Sequence, residues 1–125
     1  MNTHVLLIED EVNIARLVEM DLHDAGYQVT LAHDGIKGLH LAQTQVPDVV
    51  VLDWQLPHLT GVEICQKLRD AGKMMPIIFA TALGDIEHRT AALQAGGTHY
   101  LIKPFRTEGL LQLIEAHQEL SLIHI

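Results

Sequence analysis

Glu9, Asp10 and Glu11 follow directly on the apolar run Val5-Leu6-Leu7-Ile8, and Asp53 follows Val49-Val50-Val51-Leu52. Thr81 follows Ile77-Ile78-Phe79-Ala80, and Lys103 follows Tyr100-Leu101-Ile102. If these runs are neighbouring strands of one sheet, three carboxylates (Glu9, Asp10, Asp53), a hydroxyl and an ammonium meet at a single edge. Carboxylates held that close repel one another and cannot all ionise without compensation. Lys103 offsets one charge, and a divalent cation matches the remaining two. All-oxygen donors with open positions favour Mg²⁺, which keeps several waters and accepts phosphate oxygens. Under such a cation Asp53 stays ionised and usable as a nucleophile. Alone, the Glu9-Asp10 pair reads equally well as a solvated turn with a helix cap. Its coincidence with Asp53, Thr81 and Lys103 at four run ends carries the chemical reading.

The elements that must position these residues are legible in the hydrophobic pattern. Each apolar run is too short for a helix and apolar throughout, which predicts a strand buried on both faces. Gln28-Val29-Thr30-Leu31 alternates and predicts an edge strand. Between the runs, apolar residues recur at helical spacing. The stripes are Ile14, Val18, Leu22 and Ala25 in residues 11–25, and Ile36, Leu39 and Ala42 in 35–45. Ile64, Cys65, Leu68 and Ala71 follow in 61–71, and Ile86, Thr90 and Leu93 in 85–95. Leu110, Leu113, Ile114 and His117 complete the set in 107–119. Thr60-x-x-Glu63 is a capping box, Gly26, Gly72 and Gly96-Gly97 stand where helices should end, and Pro47 and Pro76 precede strands. The pattern is (βα)₅, an α/β fold with a parallel sheet, helices on both faces and right-handed crossovers. In such a sheet the functional crevice lies beyond the carboxyl ends of the strands, where the charged residues fall.

Composition narrows the function classes. The chain has 125 residues, 48% hydrophobic and 19% charged, which fits one domain. A net charge of −8 without a Lys/Arg cluster argues against direct nucleic-acid binding. Tyr27, Trp54, Phe79, Tyr100 and Phe105 are too scattered to stack bases. No run reaches the roughly 18–20 apolar residues that span a bilayer. The N-terminus shows no signal peptide, and the single Cys65 suits a reducing cytoplasm and inert core packing. The nine histidines show no metal-ligand spacing, and His58 is expected at the surface.

Together, Leu7-Ile8-Glu9-Asp10-Glu11, Asp53-Trp54-Gln55-Leu56-Pro57, Gly61, Thr81-Ala82, Ala95-Gly96-Gly97, Tyr100 and Lys103-Pro104-Phe105 resemble the receiver domains of two-component response regulators, over about residues 4–119. The resemblance implies a flavodoxin-like doubly wound sheet of strand order 2-1-3-4-5, with residues 1–125 a single receiver domain and any output domain outside this chain. It implies that Asp53 is the phosphoacceptor, taking a phosphoryl group from a sensor histidine kinase, a phosphotransfer protein or a small acyl phosphate. Asp10 and Asp53 would ligate Mg²⁺ (with Mn²⁺ able to substitute) by side chains, Gln55 by its backbone carbonyl, and Glu9 through water. Thr81 and Lys103 would bind phosphoryl oxygens, Lys103–Pro104 would be a cis peptide, and Thr81 and Tyr100 would form the switch. Such a domain is no enzyme beyond assisting its own phosphorylation and dephosphorylation. It would re-shape the surface of the fourth helix, fifth strand and fifth helix to control transcription or a partner.

Departures qualify that picture. Receivers of the winged-helix transcription-factor branch often carry paired acids before the aromatic strand residue, where this chain has Thr98 and His99. They carry basic residues along the fifth helix, which here has none, and Arg89 stands alone on the fourth. A homodimer through that face would therefore have to be apolar. Leu83, two residues past Thr81, is expected to screen an acyl phosphate from water, and Gln55 to tune its lifetime. Two other classes compete. A flavin or nucleotide enzyme on this topology lacks its Gly-rich phosphate cradle, and a haloacid-type phosphatase would want a second acid where Gln55 stands. A receiver-like module that never accepts phosphate would leave these residues idle. The final segment, Ser121-Leu122-Ile123-His124-Ile125, reads equally as native, as a truncation of a longer chain or as appended non-native sequence.

Overall fold

The computed structural model describes residues 3–123, with side chains described for 3–118. The elements alternate strictly: β1 (His4–Ile8), α1 (Val12–Asp24), β2 (Gln28–Ala32), α2 (Gly35–Gln45), β3 (Val49–Leu52), α3 (Gly61–Asp70), β4 (Ile77–Thr81), α4 (Ile86–Gln94), β5 (His99–Ile102) and α5 (Thr107–Ile123). The strands form one sheet in the order β2-β1-β3-β4-β5, every pair parallel. His124 and Ile125, the end of the final segment, lie outside the described residues.

Because successive strand side chains point to opposite faces, each apolar run feeds two cores. Leu6, Ile8, Val50, Leu52, Ile77 and Phe79 pack with Ala42 of α2, Ile64, Cys65 and Leu68 of α3 and Ala92 of α4. Val5, Leu7, Val49, Val51, Ile78 and Ala80 pack with Ala15 and Leu22 of α1 and Leu110 and Ile114 of α5. The central strands β1, β3 and β4 are buried on both sides, as a parallel sheet flanked by helices requires.

Local chemistry fixes the ends of the helices. Thr60 and Glu63 form the capping box of α3 reciprocally. Asp34 and Asp85 cap α2 and α4 by accepting from the backbone N–H groups of Lys37 and His88. Gly26, Gly72 and Gly96 carry positive φ at helix exits.

Five expectations need correction. The apolar run Tyr100-Leu101-Ile102 reads as buried on both faces, but β5 is an edge strand. It is only half-buried, and Ile102 is exposed. The Ile86/Thr90/Leu93 stripe of α4 faces solvent, with Ile86 78% and Leu93 46% exposed. The helix turns Ala92 to the sheet instead, with His88 and Ala91 half-buried. A close helix-to-strand approach beside Phe79 favours small side chains there, and Gly97, whose added Cβ would meet the Phe79 ring and Ala92 O, marks how tight that approach is. Ile36 is exposed because α2 buries Gly35 against Leu59 and lays Gly38 and Ala42 against the sheet. Ala25 and Ala71 lie past the ends of α1 and α3 and are exposed.

Candidate functional site

The carboxyl ends of β1, β3, β4 and β5 open onto a cleft of about 320 Å³ lined by Asp10, Glu11, Ile14, Asp53, Gln55, Ala82 and Lys103. Glu9 follows β1 with its backbone N–H on Ala32 O of β2, which turns its side chain inward until only 4% of the residue is exposed. Asp10 sits beside it, exposed, on the loop into α1. Asp53 follows β3, its N–H on Ile8 O, and is 7% exposed. Its Oδ1 accepts from the backbone N–H of Gln55 at 3.1 Å. The loop returns at once through Gly61 N–H to Trp54 O at 2.9 Å. A Cβ on Gly61 would collide with the Asp53 carbonyl, so glycine is required for this close pass.

Lys103 closes the site from β5. Its backbone N–H bonds to Thr81 O at 2.8 Å, and the Lys103–Pro104 peptide is cis. Its Nζ donates to Asp53 Oδ2 at 2.8 Å and to Glu9 Oε1. The second Glu9 oxygen accepts from the N–H of Glu11 at 3.1 Å. Burial pushes the Glu9 carboxyl up, against the pull of Lys103. For Lys103 burial pulls down, but its hydrogen bonds to Asp53 and Glu9 outweigh this and hold the ammonium above its usual value. The site thus holds a permanent cation between two buried acids, with a third acid at the mouth.

Carboxylate oxygens of Glu9, Asp10 and Asp53 lie within 4.8 Å of one another. One lysine cannot neutralise three such acids, and the donor set is all oxygen and open to solvent on the Asp10 side. These residues fit a hard divalent cation. Both Glu9 oxygens and both Asp53 oxygens already accept a hydrogen bond, and Asp10 is the freest donor of the three.

Most of the expected site residues therefore converge: Glu9, Asp10, Asp53, Gln55 and Lys103. Thr81 and Tyr100 stand behind them. Thr81 is fully buried, and its Oγ1 accepts from Leu83 N–H at 3.3 Å. The Tyr100 hydroxyl donates to the carbonyl of the same Leu83. The Tyr100 ring lies against Phe79, centroids 6.0 Å apart, with the Arg89 guanidinium 5.7 Å over it. Leu83 meets the site through its backbone, and Ala82 rather than Leu83 lines the cleft. Ile14 and Glu11 line it too, though sequence reasoning gave them no role. Glu11 caps α1 and Ile14 lies in its first turn, directly after the acidic pair, and that closeness in sequence is the available signal. Trp54 packs edge-on against His88 of α4 at 4.8 Å, and His88 Nδ1 meets Asp85 Oδ1 at 2.5 Å. Nothing in the spacing of the histidines announced this contact.

A doubly wound parallel sheet with acids after its first and third strands and a lysine after its fifth defines a class of signalling domain. The response regulator receiver domain profile matches residues 5–115, and the chain belongs to that family. The transcriptional regulatory protein CusR of Escherichia coli K12 is 44% identical over 107 residues, which is 86% of this chain and 47% of CusR. The chain spans about half the length of the curated relatives it matches. The receiver domain of Francisella response regulator 1452 superposes with a TM-score of 0.92 at 31% identity, covering 96% of this chain and 99% of that one. The receiver domain of the Pseudomonas aeruginosa PAO1 sensor histidine kinase PA1611, described with a magnesium ion in its active-site cleft, gives 0.85 at 34% identity, covering 93% and 97%. Response regulators are signalling proteins, and among the described residues no helix is long and apolar enough to cross a membrane.

Proposed function

We propose that Asp53 accepts a phosphoryl group in a phosphorelay, and that the observation carrying this reading is the bridging of Asp53 and Glu9 by Lys103 beside Asp10. The Asp53 carboxylate forms a bond to phosphorus while the P–N bond of a donor phosphohistidine breaks. The electron pair returns to the imidazole, which leaves neutral once protonated. Phosphoryl transfer needs alignment and neutralisation of the equatorial oxygens. Lys103, already on Asp53 Oδ2, supplies one fixed positive charge at the point where those oxygens arrive. The Gln55 N–H holds Asp53 Oδ1 and so sets the direction of attack. Asp10 and Asp53, with the Gln55 carbonyl and with Glu9 through water, would hold Mg²⁺ or Mn²⁺, which neutralises the phosphoryl oxygens when bound. The Thr81 hydroxyl, released from Leu83 N–H, would donate to a phosphoryl oxygen.

The donor is a sensor histidine kinase or phosphotransfer protein of the cytoplasm, and residues 1–125 form one receiver domain. The output is a transcription-regulating domain beyond this chain. The exposed Ile86, Leu93 and Ile102 support an apolar homodimer face on α4, β5 and α5. Beyond aiding its own phosphorylation and dephosphorylation, the domain turns over no substrate.

The test is acetyl phosphate labelling. A single acid-stable, base-labile phosphoryl group should appear with Mg²⁺, disappear with EDTA and be absent in Asp53→Asn. Labelling of Asp53→Asn at the wild-type rate would refute the assignment. No labelling of the wild type, together with Trp54 fluorescence indifferent to Mg²⁺ and beryllofluoride, would establish an inert receiver-like module.

A further inference from the structure

His99 opens β5, and His117 lies on the apolar stripe of α5, one turn beyond Ile114. Their Nε2 atoms are 2.8 Å apart, with the rings tilted by 59°. The pair sits at the opposite end of β5 from Lys103, so it takes no part in the acidic cleft. A 2.8 Å approach of two imidazole nitrogens requires one proton between them, with one ring donating and the other accepting. Two protonated rings would repel, and two bare lone pairs would do the same.

A lone pair that takes a shared proton is also a ligand for a divalent transition ion, which prefers imidazole nitrogen to the carboxylate oxygen suited to Mg²⁺. Two Zn–N bonds of about 2.0–2.1 Å at the tetrahedral angle set the nitrogens about 3.3 Å apart. That is about half an ångström wider than the hydrogen-bonded pair. Both side chains are half-buried and partly open to solvent, so ring rotation can supply the difference. Burial, and then the neighbouring His117, hold His99 below the ordinary histidine value, which keeps it neutral and ready to ligate near pH 7. Among the described residues the acidic cleft supplies the one cluster of three or more ligand groups, so the histidine pair would leave two coordination positions to water.

We propose that His99 and His117 form a two-histidine site for a divalent transition ion of the Zn²⁺ type, separate from the acidic cleft, which pins α5 to β5. These elements belong to the face expected to carry the output signal, so an ion bound here would stiffen that face independently of phosphorylation.

Thermal unfolding of the 125-residue chain with ZnCl₂, in millimolar Mg²⁺ to fill the acidic cleft, is the direct test. Zn²⁺ at a hundredfold excess over its Kd should raise the wild-type Tm by roughly 10 °C. The rise should vanish in His99→Gln and in His117→Gln and persist in Asp10→Asn. Imidazole ¹H–¹⁵N spectra of the wild type decide the matter without relying on variants that fold. On adding Zn²⁺, the Nε2 resonances of these two histidines, and not those of His88 or His33, should move. No Tm rise in the wild type, an undiminished rise in both glutamine variants, or unmoved His99 and His117 resonances would each overturn the proposal.

Discussion

Lys103 is tied to the site by three bonds: its backbone to Thr81, and its ammonium to Asp53 and Glu9. Its identity and place were legible because a lysine before proline at a strand end has few other uses. The inward turn of Glu9 was not legible, since it depends on a hydrogen bond to Ala32 of a neighbouring strand. Glycines make the same point. Gly61 passes against the Asp53 carbonyl, whereas a Cβ on Gly109, in the first turns of α5, would meet nothing within 4 Å. Gly61→Ala is therefore expected to lower stability by about 1–3 kcal/mol and to slow labelling of Asp53 by displacing its loop. Gly109→Ala should raise stability by about 0.5–1 kcal/mol with labelling unchanged. Urea denaturation of both variants, with acetyl phosphate kinetics alongside, checks the pair. Equal stability of Gly61→Ala and wild type would show that the loop has room to spare.

At the scale of elements, strand and helix order followed from periodicity, but which face of α4 is buried did not. Spacing identifies a stripe, and the room available beneath the helix decides which stripe goes in. Against Phe79 and Gly97 the helix buries alanine and leaves Ile86 and Leu93 outside. The exit of α2 carries strain of a different kind. Val46 closes it at φ 45° and ψ 66°, left-handed values that a β-branched side chain resists. Asparagine tolerates them, so Val46→Asn should add about 1 kcal/mol of stability, read as a higher urea midpoint at unchanged slope. The junction of β5 and α5 carries a pH dependence. His99 titrates below its ordinary value in the folded chain because of burial and His117. The unfolded chain therefore binds its proton first as the pH falls below about 6.5, and stability drops until the folded-state pKa is passed. Tm measured from pH 8 to pH 5 should fall less steeply in His99→Gln than in the wild type. Parallel profiles would show that the pair carries no stability.

For the whole molecule, the question is how the phosphoryl group proposed for Asp53 would reach α4. Moving a two-state equilibrium from 1:99 to 99:1 takes about 5.5 kcal/mol, and the residues present offer specific carriers. The helix is lightly anchored, with Ala92 its one fully buried residue. Three contacts hold its start: Trp54 on His88, Arg89 over Tyr100, and the Tyr100 hydroxyl on Leu83 O. Leu83 is the joint, because its N–H also occupies the Thr81 hydroxyl. On the proposed function, a phosphoryl group that drew Thr81 away would break that bond and loosen the loop that Tyr100 holds. The Tyr100 hydroxyl bond therefore favours the resting arrangement, by about 1 kcal/mol as hydrogen bonds go. Removing it in Tyr100→Phe should let a beryllofluoride–Mg²⁺ titration, followed by Trp54 fluorescence, reach its midpoint at about fivefold lower concentration. The amplitude should stay close to that of the wild type, because Trp54 keeps its contact with His88. His88→Ala should do the reverse, reducing the amplitude by removing the α4 ring against which the indole packs edge-on. If Tyr100→Phe titrates like the wild type, the coupling to α4 runs through Trp54 and His88 and not through Leu83.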